Sequence, residues 1–294
     1  MKQLTIDTTG TRYTMKEGGD GLWFLKGWRD FLKSAGLTTF DQFVHLSGTE
    51  VDRNKRSLVY RLKLGEDKQV FYLKLHTNYV RRNLSTLYKK VLITQIELTN
   101  MMHYARAGLD ELEPVACGWR SGEDGISSFL LIKELDGYQS LQDFLTGSDC
   151  SSRQQRRAVA EAVVAMLAKM HGYGLAHIEL FSWHIFVKKT KDGHYLAQPI
   201  DLERTINKDN WPWSQWLIRR KHANDLAVLN LTVPWPHISS AERMRFYHAY
   251  CKTMGISKND RSFFKLILGI AKHRGRRSKF QPAGVFARMS VKQV

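Results

Sequence analysis

The sequence predicts an α+β fold, with a strand-rich N-terminal part holding one helix and a mainly helical C-terminal part. Between Ser57 and Leu135, runs of alternating, β-branched and aromatic residues recur between turn-forming Gly, Asp and Ser. After Gly137 the apolar spacing changes from strand-like to helical. The 294-residue length allows one large domain or two smaller lobes, either with ample core.

The elements follow in order. Trp23 to Leu37 has the spacing of an amphipathic helix, heading an N-terminal helical extension over residues 1–40. Ser57–Leu64 and Gln69–Leu75 alternate and are joined by Gly65-Glu66-Asp67-Lys68, which predicts a hairpin. In the second run Val70, Tyr72 and Lys74 share a face, so Lys74 puts a charge inside an otherwise apolar strand. Leu84, Leu87, Tyr88, Val91, Leu98 and Met102 predict a helix from Asn83 to Ala107, ended by Gly108 and carrying Glu97. Val115–Trp119 and Phe129–Leu135 read as two more strands around the turn-rich Ser121–Gly125. They complete an N-terminal lobe over residues 41–135. The C-terminal lobe spans 136–260. Within it Val159, Val163, Met166, Leu167 and Met170 stripe a helix over Arg156–His171, and Ile185–Lys188 pairs with Tyr195–Ile200 around Asp192-Gly193. Residues 261–294 form a basic, partly flexible segment with nine Lys/Arg and no acid, in which Lys272–Lys279 reads as an exposed tail.

Composition excludes several classes. A net charge of +17 predicts polyanionic company: nucleic acid, phosphates or an anionic membrane surface. No helix-turn-helix, RNP or zinc-finger pattern supports nucleic acid. Mean hydropathy of −0.37 and the lack of a long apolar run exclude a spanning helix. The opening MKQLTIDTTGTRY lacks a secretory h-region, and three scattered cysteines without a CxxC fit a reducing, cytoplasmic compartment. His171, His177 and His184 are spaced by six and seven residues, which matches no helical zinc pair.

Lys74, Glu97, Glu179, His184 and Asp201 stand out, each a polar residue at an apolar position or beside a strand end. Phosphoryl transfer needs a Lys on the nucleotide phosphates, a Glu to hold it, a carboxylate for the acceptor hydroxyl's proton, and metal ligands. A kinase-like order is a strand Lys, a helix Glu, a loop acid with a second ligand five positions on, and a strand-end Asp. The chain presents Lys74 in FYLK, Glu97 in ITQIE, Glu179 and His184 in AHIELFSWHIFV, and Asp201 in PIDLER. Glu97 is one choice of partner for Lys74, with Glu111 and Glu113 nearby.

MHGYGLAHIELFSWHIFV followed by PIDLERT resembles the lipopolysaccharide core kinases of the WaaP/InaA type, a branch of the protein-kinase-like superfamily. FYLKLH resembles that family's Lys strand, IKELDGYQSLQDFL its hinge, and KHANDLAVLNL its later helix, whose Asp (here Asp225) supports the catalytic loop. The likeness runs from Val44 to Leu231. It implies a bilobal protein-kinase-like fold, with an antiparallel-sheet N-lobe and a helical C-lobe. It also implies ATP- and Mg²⁺-dependent transfer, with Mn²⁺ as the alternative metal, to a heptose or Kdo hydroxyl of the lipopolysaccharide inner core. In that scheme Lys74 and Glu97 hold ATP, backbone at Glu134, Leu135 and Asp136 meets adenine, His184 and Asp201 bind the metal, and Glu179 deprotonates the acceptor. The implied partners are the lipopolysaccharide core, or another anionic glycolipid, and the anionic inner face of the inner membrane.

The chain departs from the protein-kinase pattern at named places. His177-Ile178-Glu179 stands where His-Arg-Asp is usual, His184 stands at the Asn position, and no GxGxxG precedes Lys74. Gly48–Ser57 is the segment left to cradle phosphates. Glu179 and the missing Gly-rich loop motivate a second reading, a catalytically degenerate kinase fold that binds nucleotide or an anionic partner, whereas the His at the Asn position fits the core-kinase branch that the chain resembles. Trp211-Pro212-Trp213-Ser214-Gln215-Trp216 reads either as a sugar-stacking or interfacial platform or as packing. Arg219-Arg220-Lys221 reads as an anion contact or a solvated face.

Overall fold

The computed structural model describes residues 15–18, 21–25, 27–82, 90–123, 125–147, 150, 152–208, 215–234, 237–257 and 260–276. The chain divides into two units, Met1–Asp136 and Gly137–Val294.

The N-terminal unit contains β1 (Met15–Gly18), β2 (Leu22–Leu25), α1 (Arg29–Ser34), α2 (Phe40–Val44), β3 (Thr49–Arg53), β4 (Ser57–Leu64), β5 (Gln69–Thr77), β6 (Val80–Arg81), β7 (Val91–Leu92), α3 (Ile93–Arg106), β8 (Pro114–Gly122) and β9 (Gly125–Lys133). Seven strands form one antiparallel sheet in the order β1-β2-β8-β9-β5-β4-β3. Strand alternation sorts β5. Phe71 and Leu73 are fully buried in a core with Leu32, Phe40 and Phe43, the last stacked on Phe129 at 4.5 Å. Lys74 therefore points to the opposite face, where α3 lies, and the Thr94 hydroxyl of α3 meets Ser128 of β9 at 2.9 Å. β3 forms one edge of the sheet. All five of its residues are exposed, and its pairing with β4 is bulged between Glu50 and Asp52.

Two expected elements differ. The helix expected over Trp23–Leu37 is a strand, β2, followed by the short α1. Leu22, Trp23 and Phe24 pair with Gly118, Cys117 and Ala116 of β8, so a long-range ladder overrides the local spacing and draws the expected helical extension into the sheet. The helix expected from Asn83 begins at Ile93. Val91 and Leu92 pair instead with Arg81 and Val80, and residues 83–89 lie outside the described residues.

The C-terminal unit contains β10 (Gln139–Ser140), α4 (Leu141–Thr146), α5 (Arg153–Tyr173), β11 (Leu175–Ala176), β12 (Ile185–Lys189), β13 (Tyr195–Pro199), β14 (Ile206–Asn207), α6 (Gln215–Thr232), α7 (Ser240–Thr253) and α8 (Arg261–Arg274). Ser152 and Gln155 close a capping box on α5, as Ser239 and Glu242 do on α7. Gly174 ends α5 at φ +90°, where a Cβ would meet the Lys208 side chain. From Ala223 to Leu229 every residue of α6 is buried, so this helix forms the centre of the unit. The basic segment is only partly a tail: α8 buries Phe263, Ile267 and Ala271, and Asp260 at its N-cap binds Arg219 of α6 at 2.5 Å. Residues 277–294 lie outside the described residues, as do 209–214 with most of the indole-rich segment. Trp216 is described and exposed.

Candidate functional site

In the N-terminal unit, Lys74 sits between Val59 of β4 and Leu130 of β9 in a continuous ladder, which fixes where its side chain leaves the sheet. Its Nζ lies 2.6 Å from Glu97 Oε1. The Glu97 side chain is 1% exposed and that of Lys74 17%, so little water competes for the pair. The structure thus brings Lys74 to Glu97. Glu113 instead accepts the Trp28 indole N–H at 2.8 Å.

Glu134 is occupied. Arg61 donates to both its carboxylate oxygens at 2.8 and 3.2 Å, the Tyr72 hydroxyl donates at 3.1 Å, and the Glu134 N–H donates to the Val70 carbonyl. Burial, and then the Glu134 charge, raise the Tyr72 phenol above its ordinary range. A ligand meeting the segment Glu134–Asp136 would therefore use backbone groups other than the Glu134 N–H. Leu135 is buried and Asp136 exposed. Half of Gly48–Ser57 is the exposed edge strand β3, where Arg53 pairs with Glu50 at 2.6 Å.

In the C-terminal unit, the loop after β11 is held by a buried carboxylate on α6. Asp225 Oδ2 accepts the His177 N–H, and Oδ1 accepts the Ile178 N–H, each at 2.7 Å. The Ile178 carbonyl in turn accepts from Asn224 Nδ2 at 2.9 Å. Ile178 has φ +74°, costly for a β-branched residue, and its peptide groups are clamped from both sides. Behind the clamp, Asp225 meets His171 Nε2 at 3.3 Å, and His171 Nδ1 meets the Tyr250 hydroxyl at 2.8 Å. His222 stacks on His171 at 3.9 Å. Burial drives both imidazoles down to about 3, so they are neutral, and it pushes the Asp225 carboxyl up against the opposing pull of His177 and its N–H donors.

The clamp aims the next residues. The Glu179 carbonyl accepts the Phe181 N–H at 2.8 Å and faces His184 Nδ1 at 3.0 Å. A carbonyl only accepts, so Nδ1 carries the proton, and in the neutral ring Nε2 keeps its lone pair. That Nε2 lies 3.8 Å from Asp201 Oδ2. The two strands behind them are tied as well, since the Ile200 N–H donates to the His184 carbonyl and His177 Nε2 meets the Ile200 carbonyl. Asp201 adopts φ +59°, ψ +62°, which Asp tolerates better than most residues. Arg204 Nε lies 3.4 Å from Glu179 Oε2 and 3.8 Å from Glu203 Oε1. The unit thus collects Glu179, His184 and Asp201 and adds Arg204. The sequence reading missed Arg204, although it stands three residues after Asp201 in the same motif.

A family model for the lipopolysaccharide kinase (Kdo/WaaP) family matches residues 42–250. The chain belongs to this family. Among curated proteins it is 25% identical over 201 residues to the lipopolysaccharide core heptose(I) kinase WaaP of Pseudomonas aeruginosa, covering 64% of this chain and 72% of that one. A solved structure of WaaP in complex with acyl carrier protein aligns with a TM-score of 0.61 at 20% identity, over 83% of this chain and 96% of the other. The fold is accordingly protein-kinase-like, with an antiparallel sheet and helices.

The donor set of this Kdo/WaaP-family chain suits a divalent cation. A cation about 2.1 Å from each of two neighbouring donors holds them roughly 3.0–3.4 Å apart, and His184 Nε2 and Asp201 Oδ2, at 3.8 Å, would have to close by a few tenths of an ångström to reach that spacing. Among the described residues no cluster of three or more His, Cys, Asp or Glu forms a closed metal cage. Mg²⁺ beside nucleotides usually takes one or two carboxylates, with phosphate and water completing the shell; Asp201 fits that role, while the imidazole of His184 is an atypical ligand for Mg²⁺.

Proposed function

We propose that the chain transfers the γ-phosphoryl group of ATP to a hydroxyl of a heptose or Kdo sugar in the lipopolysaccharide inner core. The observation that carries this reading is the 2.6 Å pairing of a strand Lys with a buried helix Glu in a chain of this family. Lys74, held by Glu97, neutralises phosphate charge. His184 and Asp201 would hold Mg²⁺ or Mn²⁺, which would supply positive charge against the negative charge that develops during phosphoryl transfer. Glu179 accepts the proton as the sugar oxygen bonds to the γ-phosphorus and the bond to the ADP oxygen breaks. Arg204 offsets the Glu179 charge from 3.4 Å and orients its carboxylate. Glutamate reaches one methylene further than aspartate, and the loop wound on the Glu179 carbonyl sets its starting point.

The reading includes approach to an anionic membrane face. In its support, Trp216 is 62% exposed and Arg220 lies over its ring at 5.7 Å. Lys221 is lowered by burial and then by the neighbouring charges of Arg220 and Arg274. Such crowded cations gain from anionic headgroups, at about 1 kcal/mol per basic residue near the surface.

The test is incubation with ATP, Mg²⁺ or Mn²⁺ and dephosphorylated core oligosaccharide, read by mass. One added phosphoryl group is the expected result. Nucleotide binding without transfer under all metals would instead favour the degenerate-kinase reading.

A further inference from the structure

We propose that Trp183 is the platform on which the acceptor sugar ring stacks. This rests on the phosphotransfer reading above and adds to it the residue that holds the acceptor's ring plane. Trp183 lies in the loop between Glu179 and His184, four residues after the first and one before the second. It is 39% exposed, in a unit whose large apolar side chains are mostly inside.

Its ring is nevertheless fixed. Phe181 is buried against Val228 and Leu231 of α6, and Trp183 stacks on Phe181 with centroids 4.6 Å apart and planes 9° from parallel. His184 meets the indole edge-on at 6.0 Å and 80°. The backbone between them is pinned, because the Ser182 N–H donates to the Thr232 hydroxyl at 2.9 Å and the Ser182 hydroxyl to the Thr232 carbonyl at 2.8 Å. A rigid chain of contacts thus runs from α6 through Phe181 to an indole that remains accessible.

The chemistry of that face selects a sugar. The indole π-cloud is electron-rich, and the C–H bonds of a pyranose ring are polarised positive by the adjacent oxygens. Stacking fixes the ring plane while tolerating several hydroxyl patterns, and Glu179 then selects the hydroxyl. Preorganisation lowers the ordering cost on binding, which explains why the platform is packed before any ligand arrives. Adenine is the other flat ligand in the reaction, so the test carries an arm for it.

The test uses the full chain with Trp183→Ala and Trp183→Phe. A heptose-containing core oligosaccharide is titrated calorimetrically without ATP, ATP is titrated separately, and acceptor and ATP KM values are measured. Trp183→Ala should weaken the oligosaccharide Kd and raise the acceptor KM by roughly 3- to 10-fold, with Trp183→Phe recovering most of the loss and ATP affinity holding at the wild-type value. Unaltered oligosaccharide affinity in Trp183→Ala would overturn the proposal, and so would a parallel loss of ATP affinity. If the wild type binds the oligosaccharide and Trp183→Ala does not, yet no phosphoryl group is transferred, stacking stands and the kinase reading falls. If the wild type does not bind the oligosaccharide, both fall.

Discussion

Asp225→Asn tests the clamp beneath the loop that carries His177 and Ile178. The wild-type carboxylate accepts two N–H groups at 2.7 Å, one on each oxygen. Asparagine keeps one acceptor and turns the other oxygen into a donor, which then faces a backbone N–H. One charge-assisted bond is lost, worth about 1.5–3 kcal/mol, and a buried donor is left against another donor at about 1–3 kcal/mol more. Relaxation of Ile178 from φ +74° returns part of this. The net cost is about 3 kcal/mol, which lowers the thermal midpoint by roughly 6–12 °C for a domain of this size. Two assays apply: thermal unfolding, and hydrogen exchange at the His177 and Ile178 amides, which should lose protection selectively. A midpoint within about 1 °C of wild type, with both amides still protected, would refute the idea that Asp225 holds the strained loop.

Three further outcomes follow from the same structure. Lys74→Ala and Asp201→Ala should each reduce phosphoryl transfer to background, as read by product mass; full turnover in either would remove that residue from the mechanism. Folding stability should fall as pH drops below about 6.5, because His171 and His222 stay neutral in the fold down to about 3 while the unfolded chain takes up protons. Their stabilising contribution is thus present above the unfolded imidazole value and is lost towards pH 3, which urea midpoints measured from pH 7 to 4 will register. Arg220→Glu together with Lys221→Glu should weaken sedimentation with vesicles containing phosphatidylglycerol and leave the low binding to phosphatidylcholine vesicles as it was; equal binding to both vesicle types would count against the membrane surface.

Much of the fold was legible because its signals are local. Gly65–Lys68 and Asp192-Gly193 turned the hairpins that were expected, and the stripe from Val159 to Met170 lies within α5. The misreadings share a cause. Leu22–Phe24 have helical company in sequence but a strand partner at Ala116–Gly118, nearly a hundred residues away, which no local period reveals. Val91 and Leu92 were absorbed into a helix because their ladder partners form only a two-residue strand. Lys74 and Glu97 in the first unit, and Glu179, His184 and Asp201 in the second, were legible as charges and polar groups misplaced for their elements. The residues that hold them were not. Asn224 and Thr232 are ordinary helix polar residues until the fold sets them against Ile178 and Ser182, and Arg204 looks like one more basic residue in a basic chain.

The edge strand β3 bears on how the chain behaves at high concentration. A seven-stranded sheet ending in five exposed residues presents a row of backbone groups on which a second chain could add a strand. Here the bulge between Glu50 and Asp52 breaks the flat register, and Glu50, Asp52 and Arg53 crowd the rim with charge. Removing the bulge, or replacing these charges with β-branched residues, would convert a solitary rim into a template and favour filament growth at the concentrations used for expression.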